Sequence, residues 1–282
     1  MKSGKKIPAL ALAVLLALAA LTGCGEKAAP APEPEIVTAA SLLRDMNDRM
    51  REQGSASADV QASLSFSLQA EDGTVAFPLD LALSMDMVFE PIQYHAKGSA
   101  GMTLMGMDVD LPLEFYAQQQ DDSVCTYVNV LDAWMQQSVD FTEGNHPLEL
   151  AGMDLPEEIL SAAVLAEEPE EVLGRTAWRI DLPIRGSMLR DVFSTLEEDA
   201  KEAADRIDWD SVRIECTFWV EQETGLPVRQ SVTLASPIRG EEASIDKLEL
   251  LIDYTGLGCV SGITIPPEAL NARIEDVLDD IM

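Results

Sequence analysis

The chain has 282 residues, with 50 acidic against 19 basic side chains and a formal charge of −31. A surface this acidic excludes nucleic-acid binding through neutralised phosphates and repels anionic lipid headgroups. An apolar fraction of 47% over this length supports the core of one large domain or two small ones.

The chain opens with Lys2, Lys5 and Lys6, followed by an apolar run from Ile7 to Leu21 rich in Leu and Ala. Leu21-Thr22-Gly23-Cys24 comes next: an aliphatic residue, two small ones and a cysteine. This is the pattern of a lipoprotein signal peptide, cut before a cysteine whose sulfur receives a diacylglycerol. An ordinary signal peptide with an incidental cysteine is the alternative. The run is shorter than the ~20 residues that cross a bilayer core. The expectation is therefore a signal peptide over 1–23, lipidation at Cys24, and an extracytoplasmic body held to the cell membrane by that diacylglycerol. Two acyl chains anchor stably where one does not. Removing the leader takes away lysines and no acid, which makes the remainder more acidic still. Residues 24–37 form the anchor and a tether, extended by Pro30, Pro32 and Pro34. The folded domain is expected over 38–282.

Thr38 to Gln53 is predicted as a helix, with Leu42, Leu43, Met46 and Met50 on one face. Gly54 and Ser55-Ala56-Ser57 are read as its stop. The period then changes to two. Val60, Ala62, Leu64, Phe66 and Leu68 alternate with polar residues, and Glu71-Asp72-Gly73 turns the chain. Phe77 to Phe89 alternates again, with Pro78 on the other parity, where an edge or bulge is expected. Glu90-Pro91 is a turn. Tyr94 to Leu104, Val109 to Ala117 and Ser123 to Val130 are the next strands. Trp134 is placed in a loop or short strand. Asp154 is read as capping a short helix that runs to about Leu165. Glu167 to Glu171 is a charge run, and Val172 to Ile184 resumes alternation around Gly174-Arg175. Ser187 to Ile207 is a second amphipathic helix. Val212 to Glu221, Pro227 to Ala235 and Ala243 to Tyr254 are strands, the first two joined at Thr224-Gly225. Ile263 to Pro267 is extended and leads into a short acidic helix. Strands this long, joined by short links, predict an antiparallel meander that curls into a barrel or half-barrel.

Candidate catalytic chemistry is sparse. His95 lies on the polar parity of its strand and His146 in a Gly-Asn-His-Pro loop, and neither pairs with a nucleophile motif such as Gly-x-Ser-x-Gly. Both are read as solvated or hydrogen-bonded structural histidines. No catalytic residue, metal ligand or cofactor is assigned, and the chain is read as non-enzymatic. Asp108 and Asp110 share a strand face, but no calcium loop surrounds them, and the same holds for the glutamates of 167–171. Cys125, Cys216 and Cys259 remain beyond the anchor, widely spaced and odd in number, and are read as buried small hydrophobes.

The helix after a Pro-rich tether, the long Met-rich strands, "TYVNV" shortly before Trp134, "GRTAWRIDL", "FWVEQETGLPVRQSV" and "ITIPPEA" together resemble exported lipoproteins with a LolA-like or LppX-like unclosed β-barrel, in particular Gram-positive members of that superfamily. The resemblance covers Thr38 to Ala269. It implies an α+β fold: a curved antiparallel sheet with helices packed on its concave face. It also implies an apolar hollow that holds acyl chains. The residues themselves leave two readings. In the first, Leu64, Phe66, Leu81, Leu83, Met85, Met87, Met102, Leu111, Leu113 and Phe115 form a pliable wall for a hydrophobic or amphipathic ligand, methionine suiting varied apolar partners. In the second, helices fill that space, and the chain is an interaction or structural lipoprotein of the cell envelope whose protein partner the sequence does not name.

Overall fold

The computed structural model describes residues 37–70, 73–104, 107–120, 123–131, 133–140, 157–188, 207–239 and 243–272. The signal peptide, Cys24, the tether, His146 and most of the predicted helix over 187–207 lie outside the described residues.

Helix α1 spans Ala39–Gln53. Its start is a capping box. Ser41 N–H donates to Thr38 Oγ1 at 3.1 Å, and Thr38 N–H donates to Ser41 Oγ at 3.0 Å. Gly54 ends it at φ 71°, and its N–H donates to the Arg51 carbonyl. The left-handed cap turns the chain straight into a strand, so Ser55-Ala56-Ser57 begins β1 rather than forming a loop.

The strands are β1 Ser55–Ala70, β2 Gly73–Val88, β3 Gln93–Leu104, β4 Met107–Gln120, β5 Ser123–Val130 and β6 Ala133–Asp140. After helix α2 (Glu157–Leu160) come β7 Val164–Leu165, β8 Glu170–Val172, β9 Arg175–Arg185, β10 Arg213–Glu221, β11 Pro227–Ser236, β12 Ile238–Arg239 and β13 Ala243–Leu257. Helix α3 is Pro267–Leu270. All pairings are antiparallel, in the order β6-β5-β4-β3-β2-β1-β13-β11-β10-β9-β7, with β8 on β9 and β12 on β13. Among the described residues the sheet does not close: β6 and β7 do not meet. The meander is as expected. What joins its two halves is the pairing of β1 with β13.

One open alternative is resolved and two expectations change. Trp134 lies in a short strand, β6, and not in a loop. The helix expected to reach Leu165 stops at Leu160, because Val164 and Leu165 pair with Asp181 and Ile180 on the edge of β9. Part of the charge run becomes β8, a hairpin partner of β9.

Pro78 sits inside β2 without breaking it. The β2–β3 pairing begins one residue later, at Leu79 with Met102, so the missing N–H falls where that side of β2 is already unpaired.

The main core lies on one face. Leu43, Met46 and Met50 of α1 pack with Ile159 and Leu160 of α2 and with even-numbered residues of β1, β9, β10, β11 and β13. The opposite face carries a second cluster at β4 and β5. Tyr116, Cys125 and Tyr127 are covered there by Ile265 and Ala269 of the C-terminal segment.

Gly98 is the tight point of the sheet. A Cβ there would stand 1.9 Å from the Ala82 carbonyl oxygen on β2. Both contacting groups are backbone, so neither can swing away. Gly98→Ala is expected to cost about 3 kcal/mol through overpacking, measured as a lower midpoint in urea unfolding. An unchanged midpoint would mean that β2 and β3 separate freely here.

Candidate functional site

The strand register builds the candidate site from rows of side chains. One row runs Ile180, Phe218, Gln230, Ile252, Val60, Leu83, Gly98, Leu113, Val130 across nine strands. The next rows set Ala58, Met85, Ala96 and Phe115 side by side, and Ala62, Leu81, Ala100 and Leu111. β1 and β3 therefore present mostly small residues, while β2 and β4 present large ones. On a pleated sheet this makes ridges with a trough between them.

All ten sequence-predicted wall residues point to this face. Leu64 is buried in the main core. Leu81, Leu83, Met85 and Met87 are half-buried and pack on its margin. Phe66, Met102, Leu111, Leu113 and Phe115 are half-buried beyond it, and Phe66 stacks on Phe77 at 5.2 Å between ring centres. Covering thus weakens from α1 toward the far ends of β2 and β4. There Val75 is 47% and Met107 65% exposed.

Polar groups on this face were not legible as such. Asn47 interrupts the buried stripe of α1, and Gln230 interrupts the apolar alternation of β11; both are buried. Among the described residues Asn47 Oδ1 and Gln230 Nε2 have no hydrogen-bond partner. Tyr254 Oη donates to Gln230 Oε1 at 3.5 Å, and burial pushes its phenol well above the usual range. The Tyr94 hydroxyl lies deep although part of its ring stays accessible, and burial pushes it up to about 12. The usable signal was parity: an amide at a position where its strand or helix otherwise places hydrophobes.

The opposite face carries the titratable cluster. His95 Nε2 lies 3.0 Å from Glu114 Oε1, Tyr116 Oη donates to the same oxygen at 3.1 Å, and Lys97 Nζ stands 3.6 Å from Oε2. The His95 ring stacks on Tyr116 at 4.3 Å, and Trp134 tilts against Tyr116 from β6. Burial pushes the Glu114 carboxyl up, but the hydrogen bonds from His95 and Tyr116 and the charges of Lys97 and His95 outweigh it and hold the group below its usual value. His95 is thus a hydrogen-bonded structural histidine. Among the described residues its side-chain partners are Glu114 and Tyr116, and neither open hollow is lined by the cluster.

Two open hollows lie at the margins. One, of about 300 Å³, is formed at the far ends of β2, β3 and β4 by Pro78, Asp80, Gly101, Met102, Thr103, Asp108, Val109 and Asp110. Its carboxylates come from the polar parity, and Asp108 accepts from Thr103 Oγ1 at 2.8 Å. Only Met102 among the predicted wall residues lines it. The other, of about 220 Å³, lies between α1, Trp178 and the β10–β11 turn, where Arg49 Nη1 donates to the Thr224 carbonyl at 2.9 Å. No three His, Cys, Asp or Glu among the described residues are placed to share a metal ion. Cys125 and Cys216 are buried and free; Cys259, also free, departs from expectation by being exposed at the end of β13.

The cysteine and tyrosines give a pH dependence. The Cys216 thiol is pushed by burial from 9.0 to about 12, and the Tyr116 phenol from 10.0 to about 12 by burial and then by Glu114. In the unfolded chain these groups lose protons near their ordinary values, so above pH 9 the unfolded state binds fewer protons than the folded one. Stability is therefore full below pH 9 and falls steadily between pH 9 and 12. Glu114 works in the opposite sense, its contribution fading as pH drops through its lowered value. Urea midpoints from pH 7 to 11 test this; a flat profile above pH 9 would show that these side chains are solvated.

No protein-family model matches the chain, and no curated protein matches it. Solved structures do. LprF from Mycobacterium bovis is similar at 14% identity, over 85% of this chain and all of that one, with a TM-score of 0.41. A putative outer membrane lipoprotein-sorting protein domain from Vibrio parahaemolyticus shares 9% identity over 83% of this chain and 97% of its own, at a TM-score of 0.27. A LolA superfamily protein from Nitrosomonas europaea shares 10% identity over 84% and 98%, at 0.20. At these scores the likeness is remote, and what the site can do is read from its own residues.

Proposed function

We propose that this chain is a non-catalytic lipoprotein held outside the cell membrane by diacylglycerol on Cys24. In this reading it carries a hydrophobic or amphipathic ligand between the concave, apolar face of its sheet and the helices on that face. The observation that carries the reading is the graded covering of one continuous apolar surface. The same rows that are sealed under α1 run on across β2, β3 and β4, where the small Ala96 and Ala100 are buried but the large residues of β2 and β4 beside them are only half-buried, to exposed ends at Val75 and Met107. A long apolar surface left partly open marks a binding surface more often than a core. Methionines 85, 87 and 102 line it and can reshape to differing chains.

A specific observation favours the other reading in one half of the molecule. Between β9 and β13 the side chains of α1 and α2 fill the face, as a closed structural core would. A ligand therefore belongs to the β2–β4 half, along Leu81, Leu83, Met85, Leu111, Leu113 and Phe115.

The cargo reading is tested on the full chain as the expressing cell processes it. A fatty acyl probe with a photoreactive group in its chain should crosslink to peptides within 77–115. A protein that takes up no acyl probe and carries no bound lipid in native mass spectrometry overturns the reading in favour of an envelope interaction protein. The anchor is tested separately. Cys24→Ala should abolish palmitate labelling and release the chain from the membrane fraction, and continued labelling would remove Cys24 from the account.

A further inference from the structure

The face of the sheet away from α1 carries a device of its own. After β13 residues 258–272 add no further strand; they run back across the sheet and end in helix α3. Gly258 N–H donates to the Ser55 carbonyl at 2.8 Å, and Val260 N–H donates to Ser55 Oγ at 3.1 Å, both at the start of β1. Ile263 N–H then donates to Gln93 Oε1 on β3 at 2.9 Å. Ile265 and Ala269 close over Tyr116 of β4 and over Cys125 and Tyr127 of β5, and α3 packs on β5 and β6. The segment ties β1 to β4, β5 and β6, which the sheet itself links through β2 and β3.

The hold is slight at each point. Within 258–272 the buried residues are Ile265 and Ala269, and among the described residues no strand ladder fixes the segment. The cluster beneath it lies on the other side of the sheet from the main core and shares no residue with it. Lifting the segment therefore leaves the packing of α1 and α2 untouched. A stretch with few buried apolar contacts opens locally at well below the cost of unfolding the whole domain. Gly258, at φ 67°, and Gly262, at φ 154°, supply bends between β13 and the cluster where a segment can hinge.

We propose that residues 258–272 are a releasable strap, which opens as one unit while the sheet and the main core stay folded. Opening unties β4–β6 from β1 on this face and uncovers Tyr116, Cys125 and Tyr127. The strands it releases include β4, whose other face carries Leu111, Leu113 and Phe115, so the strap sits directly behind the apolar surface.

The free cysteines serve as reporters. Cys259 is exposed near the start of the strap, Cys125 lies beneath it, and Cys216 lies in the main core. The full chain is treated with dilute N-ethylmaleimide at rising urea below the unfolding midpoint, and the labelled peptides are counted by mass spectrometry. Cys259 should react first. Cys125 should react more slowly, at a rate that changes little with urea, because lifting the strap exposes little surface. Cys216 should react with the steep urea dependence of global unfolding. Ile184→Val, in the main core, should speed Cys216 about fivefold and leave Cys125 unchanged, since the open-strap state keeps that core intact. Ile265→Val should speed Cys125 about fivefold. Each change removes a single methylene from a folded chain. Cys125 reacting with the urea slope of Cys216, or responding to Ile184→Val as Cys216 does, overturns the proposal, because the strap would then leave only with the whole fold. Cys125 reacting as fast as Cys259 overturns it too, because the strap would not close over that thiol.

Discussion

Everything in this molecule depends on β1 being paired along nearly its whole length on both sides. Its register with β2 is unbroken from Ser55–Val88 to Ala70–Gly73. Because side chains alternate with a period of two, a slip of one residue would turn every apolar side chain of one strand to the wrong face. The register with β13 is broken twice, between Ser57 and Ala58 and between Ser65 and Phe66. Those breaks are productive. Residue 255 is skipped between Tyr254 and Leu257, and residue 246 between Ile245 and Leu248. Each skip lets apolar residues three apart in sequence reach the same face, and Ile245 and Leu257 do pack on the main core. The bulges thus lengthen the apolar stripe of β13 to match β1 from end to end.

With that register fixed, residue size decides where the face is full and where it is open. Ala56, Ala58 and Ala62 on β1 leave room for α1, whose Leu43, Met46 and Met50 occupy it. Ala96, Gly98 and Ala100 on β3 leave similar room between the ridges of β2 and β4. No described helix fills that second trough. Gly98 adds a constraint of its own, since β3 approaches the backbone of β2 too closely there for any side chain.

The sequence made the strands and most of their ends legible because their alternation is long and regular. The helix from Thr38 to Gln53, the turn at Thr224-Gly225 and the break in alternation at Gly174-Arg175 could be read from residue chemistry alone. The ten predicted wall residues do share one face, since parity within a strand is a local property. What was not legible is non-local. Nothing in residues 55–70 announces that their second neighbour lies almost two hundred positions later. Trp134 was ambiguous because β6 alternates Trp134, Gln136 and Ser138 against Met135 and Gln137, with little contrast in polarity. The helix expected to reach Leu165 failed because an open edge on β9 offered Val164 and Leu165 strand hydrogen bonds, which outweigh a weak helical preference. Asn47 and Gln230 passed unnoticed because one amide scarcely perturbs an apolar pattern, although burial makes that amide the most demanding group in its row.

The acidic surface and the apolar face act together at the open end. Val75 and Met107 are exposed where the far ends of β2 and β4 also carry Asp80, Asp108 and Asp110 on the other face. Exposed apolar ends would ordinarily invite association with other chains or with lipid. A carboxylate face directly behind them, on a chain of net charge −31, opposes approach of a second copy and of an anionic membrane alike. The exposed apolar ends therefore lie where the charge of the chain opposes close approach by large anionic bodies, and an uncharged molecule would not feel that barrier. The same charge balance bears on the core: in a molecule this negative a buried carboxylate would compete for few cations, and among the described residues the buried polar side chains are the uncharged Asn47, Ser55, Ser67 and Gln230.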